Sequence, residues 1–240
     1  MFGIPEKYKK FQLFSVSSMI PKDLKLAERK KMKEAIQKVE LVAQVENEII
    51  PSLINETHNC QVIVFLNIRL KSLKEATFVS NMLQQKMKPF CVIRLYDSTN
   101  ELYSFAHKRV SKVEEAGIVV ENVFLTKIMP IFINDEQKRL MEQFSYFDAI
   151  INKTTKYVFY LEMSIKTYII SHLKVFSKTR QLLESNIWFN EDDMIMAYET
   201  IMQMDRLRTQ LLKADRAVDK VKINGELKKL IHVLNEKLED

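Results

Sequence analysis

Three glycines in 240 residues, at positions 3, 117 and 225, restrict this chain more than any other feature. Phosphate-cradling loops of the P-loop and dinucleotide kinds need several glycines close together, so that backbone can approach phosphate with no Cβ in the way. Both motifs are absent. Scarce glycine and proline also leave few means of turning tightly, which favours long helices over an all-strand sandwich. Hydrophobic residues make up 47% of the chain and charged residues 28%, the balance of a soluble globular protein with a real core.

The two thiols, Cys60 and Cys91, cannot make a zinc site by themselves, and His58, His107, His172 and His232 are scattered rather than spaced as ligands. No cofactor, metal ligand or catalytic residue is therefore expected. The start, "MFGIPEKYKK", lacks the apolar run of a signal peptide, and no window approaches the roughly 20 apolar residues of a membrane span. These absences predict a cytoplasmic protein with reduced thiols and no membrane contact.

The formal charge of +6 is concentrated at one end, because residues 1 to 38 hold ten Lys or Arg against four acids while the remainder is balanced. An anionic partner would meet Lys22, Lys25, Arg29, Lys30 and Lys33 first, since attraction to phosphate grows with the number of clustered cations. A solvated basic helix face is the plainer expectation for the same residues.

Along the chain, Phe11, Leu13 and Phe14 are expected to tuck against the body. "MIPKDLKLAERKKMKEAIQKVE" then predicts an amphipathic helix with Leu24, Ala27, Met32, Ala35, Ile36 and Val39 on its apolar side. The period changes to two at "VELVAQVENEI", where Val39, Leu41, Ala43 and Val45 point one way, with Val42 on the polar side. "QVIVFLNIRL" follows as a strand with Val62, Val64, Leu66, Ile68 and Leu70 on one face. "SLKEATFVSNMLQQKM" reads as a helix, capped by Ser72 with Glu75 completing a capping box.

A hairpin follows in "FCVIRLYDSTNELYSFAHKR". With "DSTN" as the turn, Tyr96 opposes Glu101, Arg94 opposes Tyr103, Val92 opposes Phe105 and Phe90 opposes His107. The small residues Cys91, Ser104 and Ala106 on the other face would let a helix approach closely. "GIVVENVFLTKI" adds a further strand, and Pro130 with "IFINDE" marks a boundary. This order predicts an α+β domain over residues 1–133, a largely antiparallel sheet with two helices on one face, followed by a mainly helical domain over 134–240.

In the second half, Leu140, Phe144, Phe147 and Ile151 recur at helical spacing. Val158, Leu161, Ile165, Tyr168, His172 and Phe176 form a stripe between Thr155 and Leu183, where β-branched residues keep a strand open as the alternative. "WFNEDDMIMAYETIM" has the clearest helix start: Asn190 as cap, Glu191, Asp192 and Asp193 at the positive end, and Phe189 with Met194 at staple spacing. A break is available at Asn224 and Gly225. Beyond it Leu227, Leu230, Leu234 and Leu238 have a/d-like spacing, which suits an antiparallel helical hairpin or a tail that forms a homodimer.

Several stretches taken together resemble a known family: "MFGIP", "QVIVFLNIRLKS" followed by a helix, "KPFCVIRLYDSTNELYSFAHK" and "KVKINGELKKL". The chain resembles, over nearly its whole length, a bacterial family catalogued only as domain of unknown function 4391. The resemblance implies a small cytoplasmic protein encoded near helicases and DNA methyltransferases of restriction or phage-defence type. It brings no catalytic residues to carry over.

The sheet face turned away from the first two helices would assemble Glu40, Gln44, Glu46, Phe65, Asn67, Arg69, Arg94, Tyr103 and His107. Such a face could hold a metal and phosphate, as a nuclease requires, but a restriction-type nuclease needs an acid and then Glu-x-Lys on adjacent strands, and Gln61 to Leu70 contains no acid. Aromatic rings with Arg69 and Arg94 would also suit single-stranded nucleic acid. The competing expectation, which the apolar area favours, is that the C-terminal helices cover this face. The sequence thus predicts a non-enzymatic adaptor that docks onto a larger DNA-processing enzyme such as a helicase or methyltransferase, with Lys22, Lys25, Arg29, Lys30, Lys33, Arg69, Arg94, Tyr103 and His107 available to nucleic acid. A metal-dependent nuclease or other enzyme using the polar sheet face is the alternative.

Overall fold

The computed structural model describes residues 1–46, 49–111, 117–133 and 135–239. Asn134 and Asp240, the ends assigned to the helical domain, lie outside the described residues. The chain opens with an edge strand, β1 (Lys9–Phe14), a short helix α1 (Val16–Met19) and the basic helix α2 (Leu26–Ala35). Phe11 and Leu13 do not tuck in as expected; they are 59% and 62% exposed, and only Phe14 packs onto a core. As the first strand in the sheet order, β1 leaves one edge unpaired, and its Lys9 and Lys10 are the kind of residue that discourages further pairing.

Helix α2 starts where the Glu28 carboxylate accepts the Lys25 backbone N–H at 3.1 Å. It stops at Ala35, short of the expected Val39, because β2 (Ile36–Val45) follows with no loop. Pairing of Ile36 with Leu70 and of Val39 with Ile68 draws these β-branched residues into the sheet, where tertiary packing outweighs helix propensity. Further along β2, Leu41 pairs with Leu66 and Ala43 with Phe65, so Val42 is the extra residue of a bulge. The bulge corrects the expected single face: Val39 and Leu41 lie in one core, while Val42, Ala43 and Val45 lie in the other.

A small hairpin, β3 (Leu53–Ile54) and β4 (Asn59–Cys60), leads to β5 (Ile63–Leu70). Ser72 accepts the Lys74 N–H before a 3₁₀ turn and helix α3 (Ala76–Lys86), whereas Glu75 reaches Lys31 at 2.8 Å instead of closing a capping box. Crossover through α3 makes β6 (Phe90–Tyr96) parallel to β5. Asp97 then accepts the N–H groups of Thr99 and Asn100, turning the chain into β7 (Asn100–Val110), which pairs antiparallel with both β6 and β8 (Ile118–Leu125). A last short strand, β9 (Met129–Pro130), pairs with the start of β7. The sheet is mixed but mainly antiparallel, in the order β1-β2-β5-β6-β7-β8.

Helices α4 (Glu136–Phe144), α5 (Lys156–Ser171), α6 (Thr179–Glu184), α7 (Glu191–Lys213) and α8 (Ala217–Glu239) complete the α+β fold. Thr155 caps α5 by accepting the Val158 N–H, and the strand alternative for its first half is not realised. Nearly every α5 side chain is buried, as expected of a helix that is apolar around most of its circumference. Asn190 caps α7 through the N–H groups of Asp192 and Asp193. Phe189 remains 63% exposed while Met194 is buried, so no staple closes there. The break anticipated at Asn224 and Gly225 does not occur, and the turn falls at residues 214–216. A glycine costs a helix about 1 kcal/mol, less than burial of Leu227 and Leu234 returns, and a Cβ at Gly225 would meet nothing. The leucine stripe of α8 therefore closes a helical hairpin on α7 within the same chain.

One core lies between the sheet and α2 and α3, built on Met32, Leu66, Val79, Ile93 and Leu95. A second, larger core runs without interruption from Phe65, Phe90, Phe105 and Phe124 of the sheet into Tyr160, Ile169, Trp188 and Met204 of the helices. The helical layer thus covers the sheet face that carries the candidate residues.

Candidate functional site

On β6 and β7, Arg94 sits directly across from Tyr103, as the hairpin register predicts, and both face away from α2 and α3. His107 shares their side: its ring meets Phe124 at 5.2 Å and Tyr198 of α7 at 5.4 Å. Four residue steps of strand nevertheless separate Tyr103 from His107, about 13 Å along β7. The three form two local environments and not one pocket.

At the first of these, Arg94 is committed to Glu101, with Nε and Nη2 at 2.6 and 2.5 Å from Oε2 and the guanidinium over the Tyr96 ring at 4.6 Å. Such a charge-assisted pair is strong because Glu101 is largely out of water. Tyr103 packs edge-on to Phe2 at 4.9 Å and is 7% exposed, so no face of its ring is open to a base. Burial pushes its phenol well above the usual tyrosine range. Beside them Asn67 donates to Glu40 at 3.3 Å, and Arg69 is exposed at the end of β5. Gln44 and Glu46 do not join them as expected, because after the bulge Gln44 pairs with Val64 of the smaller core, and Glu46, beyond the far end of β2, pairs with Lys10 at 2.8 Å.

The second environment gathers groups that the sequence keeps far apart. His107 pairs in register with Asn122, whose amide donates to the Tyr198 hydroxyl at 2.9 Å. His58 stacks on Tyr157 at 4.0 Å. Burial pushes His107 down to about 4 and lowers His58 as well, with Glu121 opposing the shift in both. The His107 imidazole is therefore neutral at neutral pH, with Nε2 buried and, among the described residues, lacking a hydrogen-bond partner. A neutral imidazole can accept a proton, but aromatic rings pack around this one where a substrate would have to enter. Among the described residues no three of His, Cys, Asp and Glu stand together so as to hold a metal ion.

Beyond Ile93–Ser104 the ladder between β6 and β7 stops, so the expected pairs Val92–Phe105 and Phe90–His107 do not form. Side chains from both helical layers satisfy the separated backbone. The Tyr160 hydroxyl accepts the Ala106 N–H at 2.8 Å and lies 3.2 Å from the carbonyls of Cys91 and Ala106. From the other face, Gln84 donates to the carbonyls of Cys91 and Ser104, and Ser80 meets Ser104, whose small size admits α3. Lys108, almost fully buried, donates to the carbonyls of Met87 and Pro89. Cys60 and Cys91 are buried nearby, and desolvation pushes their thiols up to about 12 and about 11. Sequence reasoning missed Tyr160, Gln84 and Lys108; the local signal for the first two was a polar group on a largely buried helix side, and for Lys108 a lysine in register with the small residues Ser104 and Ala106 on β7.

The basic segment lies on the opposite side of the sheet. Met32 and Ala35 anchor α2 in the smaller core, and Lys86 pairs with Asp23 at 2.5 Å to tie the preceding loop to α3. Lys22, Lys25, Arg29, Lys30 and Lys33 all remain exposed. Lys30 stands 3.9 Å from Glu34 and Lys31 pairs with Glu75, but among the described residues Lys22, Lys25, Arg29 and Lys33 have no carboxylate partner. Lys25 stands at the N-cap of α2 with Arg29 and Lys33 following at spacings of four, which sets these three along one stripe, while Lys22 lies in the turn before the helix. The candidate residues thus divide between the faces of the sheet: the cations of α2 and of the turn before it form one exposed surface, while Tyr103 and His107 belong to the interior.

Residues 2–234 match the model of a family described as "Domain of unknown function (DUF4391)". No curated protein and no solved structure matches the chain.

Proposed function

We propose, from the premise that the chain belongs to the DUF4391 family, that it is a non-enzymatic accessory subunit of a bacterial DNA-processing or phage-defence system of restriction type. It docks onto a larger enzyme such as a helicase or methyltransferase and touches nucleic acid through α2. One observation carries this reading: Lys25, Arg29 and Lys33 form an exposed stripe, with Lys22 in the turn before it, and none of the four has a carboxylate partner among the described residues, while on the opposite sheet face Arg94 is paired with Glu101 and Tyr103 and His107 are enclosed. Unneutralised cations in a row attract phosphate through counterion release, whatever the base sequence. The context of helicases and methyltransferases is what the resemblance implies.

The test is anisotropy of labelled single- and double-stranded DNA at two salt concentrations, with and without magnesium or manganese. Binding that weakens steeply with salt, without cleavage, is expected. Replacing Lys25, Arg29 and Lys33 together by Glu should reduce the slope of log affinity against log salt by about 3 or slightly less. Absence of binding at low salt would remove the nucleic-acid contact. Cleavage abolished by Glu46→Ala would replace the adaptor with the metal-dependent nuclease.

A further inference from the structure

The hairpin of α7 and α8 lies against the loops that follow β8 and α5, and an open groove of about 660 Å³ runs between them. Its floor is apolar: Val175 and Leu227 are buried, and Leu211 and Ile231 pack half-covered beside them. Its rim is cationic, with Lys127, Lys174, Arg208 and Lys228 all exposed around it. Among the described residues Asp205 is the only acid lining the groove, and it is already engaged by Lys127 at 2.9 Å. Arg208 reaches the Lys174 carbonyl, and neither Lys174 nor Lys228 has a carboxylate partner among the described residues. Each of these cations lies outside the basic N-terminal segment.

We infer that this groove binds an acidic amphipathic helical segment of the partner protein, with apolar anchors on the floor and carboxylates on the rim. This deepens the accessory-subunit reading by naming the surface that meets the partner, and it rests on that reading for the partner's existence. Nucleic acid fits poorly, because a phosphate backbone has nothing to place on Val175, Leu211, Leu227 and Ile231. A single small anion fits less well, because the cations come from four separate elements and surround the floor instead of converging on one point. An amphipathic helix matches both features, since residues at i, i+4 and i+7 reach a floor while their neighbours face the rim. Opposite charge around the rim would speed encounter and fix orientation.

The probe is a labelled synthetic helix-forming peptide with leucines at i, i+4 and i+7 and glutamates between them, titrated into the full chain. Binding should be lost with glutamine in place of glutamate and with alanine in place of leucine. Arg208→Glu combined with Lys228→Glu should weaken it about tenfold or more, while Lys220→Glu, outside the groove, should leave it unchanged. Should the double variant lose its native circular dichroism, Lys174→Glu serves in its place, and retained binding in the folded variant overturns the proposal. Three further results would also overturn it: no peptide binding, displacement of the peptide by decanoate at equal affinity, or self-association of the chain that the same rim substitutions abolish. DNA binding by α2 is measured separately, so a silent groove with salt-sensitive DNA binding would refute this inference and leave the accessory role standing.

Discussion

At the scale of single residues, buried ionisable groups set how the protein responds to pH. His107 is held neutral by burial, its folded value near 4 lying below the unfolded value near 6.5. The unfolded chain therefore binds more protons across that interval, so stability is full above about pH 6.5, declines as pH falls towards 4, and levels off below it. This residue alone accounts for at most about 3 kcal/mol of the decline. Urea unfolding at pH 5 and pH 7 should show a smaller difference for His107→Gln than for the natural protein; an unchanged difference would refute the assignment. Glu162 and Lys166 form a fully buried pair on α5, in which Glu162 also accepts the N–H groups of Ile151 and Asn152, and the ammonium lies 4.8 Å from the Trp188 ring centre. Glu162→Gln would strand a charge out of water and should cost about 3–5 kcal/mol. Adding Lys166→Met should recover much of that loss, read as a return of the urea midpoint. Gly3 has φ +55, and a Cβ there would come within 2.8 Å of Tyr146. Gly3→Ala should therefore destabilise by about 1 kcal/mol or more.

Secondary-structure elements were legible in the sequence wherever periodicity ran unbroken. The alternation from Val62 to Leu70, the Asp97 turn and the Asn190 cap all stand where the residues put them. Boundaries and faces were lost where a partner strand decided the outcome, as at Ile36, which a helix pattern claims and Leu70 captures. Val42 is similar: a bulge depends on the count of residues in two strands, and one strand's alternation cannot reveal it. The gap between β6 and β7 was equally hidden, since Tyr160 is distant in sequence from the strands that its hydroxyl joins. Tyr160→Phe keeps the ring and deletes that hydroxyl, leaving the Ala106 N–H unsatisfied in the interior. A loss of about 1–3 kcal/mol is expected, with faster amide exchange at Ala106 as the local readout.

For the whole molecule, the decisive fact is that the sheet is buried on both sides. The sequence indicated an apolar second face and the helices able to cover it, but the docking itself depends on distant contacts such as Phe124 with Tyr168 and Tyr198. This is why Tyr103 and His107 read as candidate surface in the sequence and stand in the interior of the fold. Calorimetry should show a single unfolding transition, because the larger core crosses from strands to helices without a seam. A fragment of residues 1–133 would expose Phe65, Phe90 and Phe105 to water and should precipitate or remain unfolded; a folded monomeric fragment would show two independent domains. The same double covering gives Cys60 and Cys91 a practical use. Ellman's reagent should find both sulfurs silent in the native molecule, so the rate at which it colours under mild denaturant would time how often the two layers part.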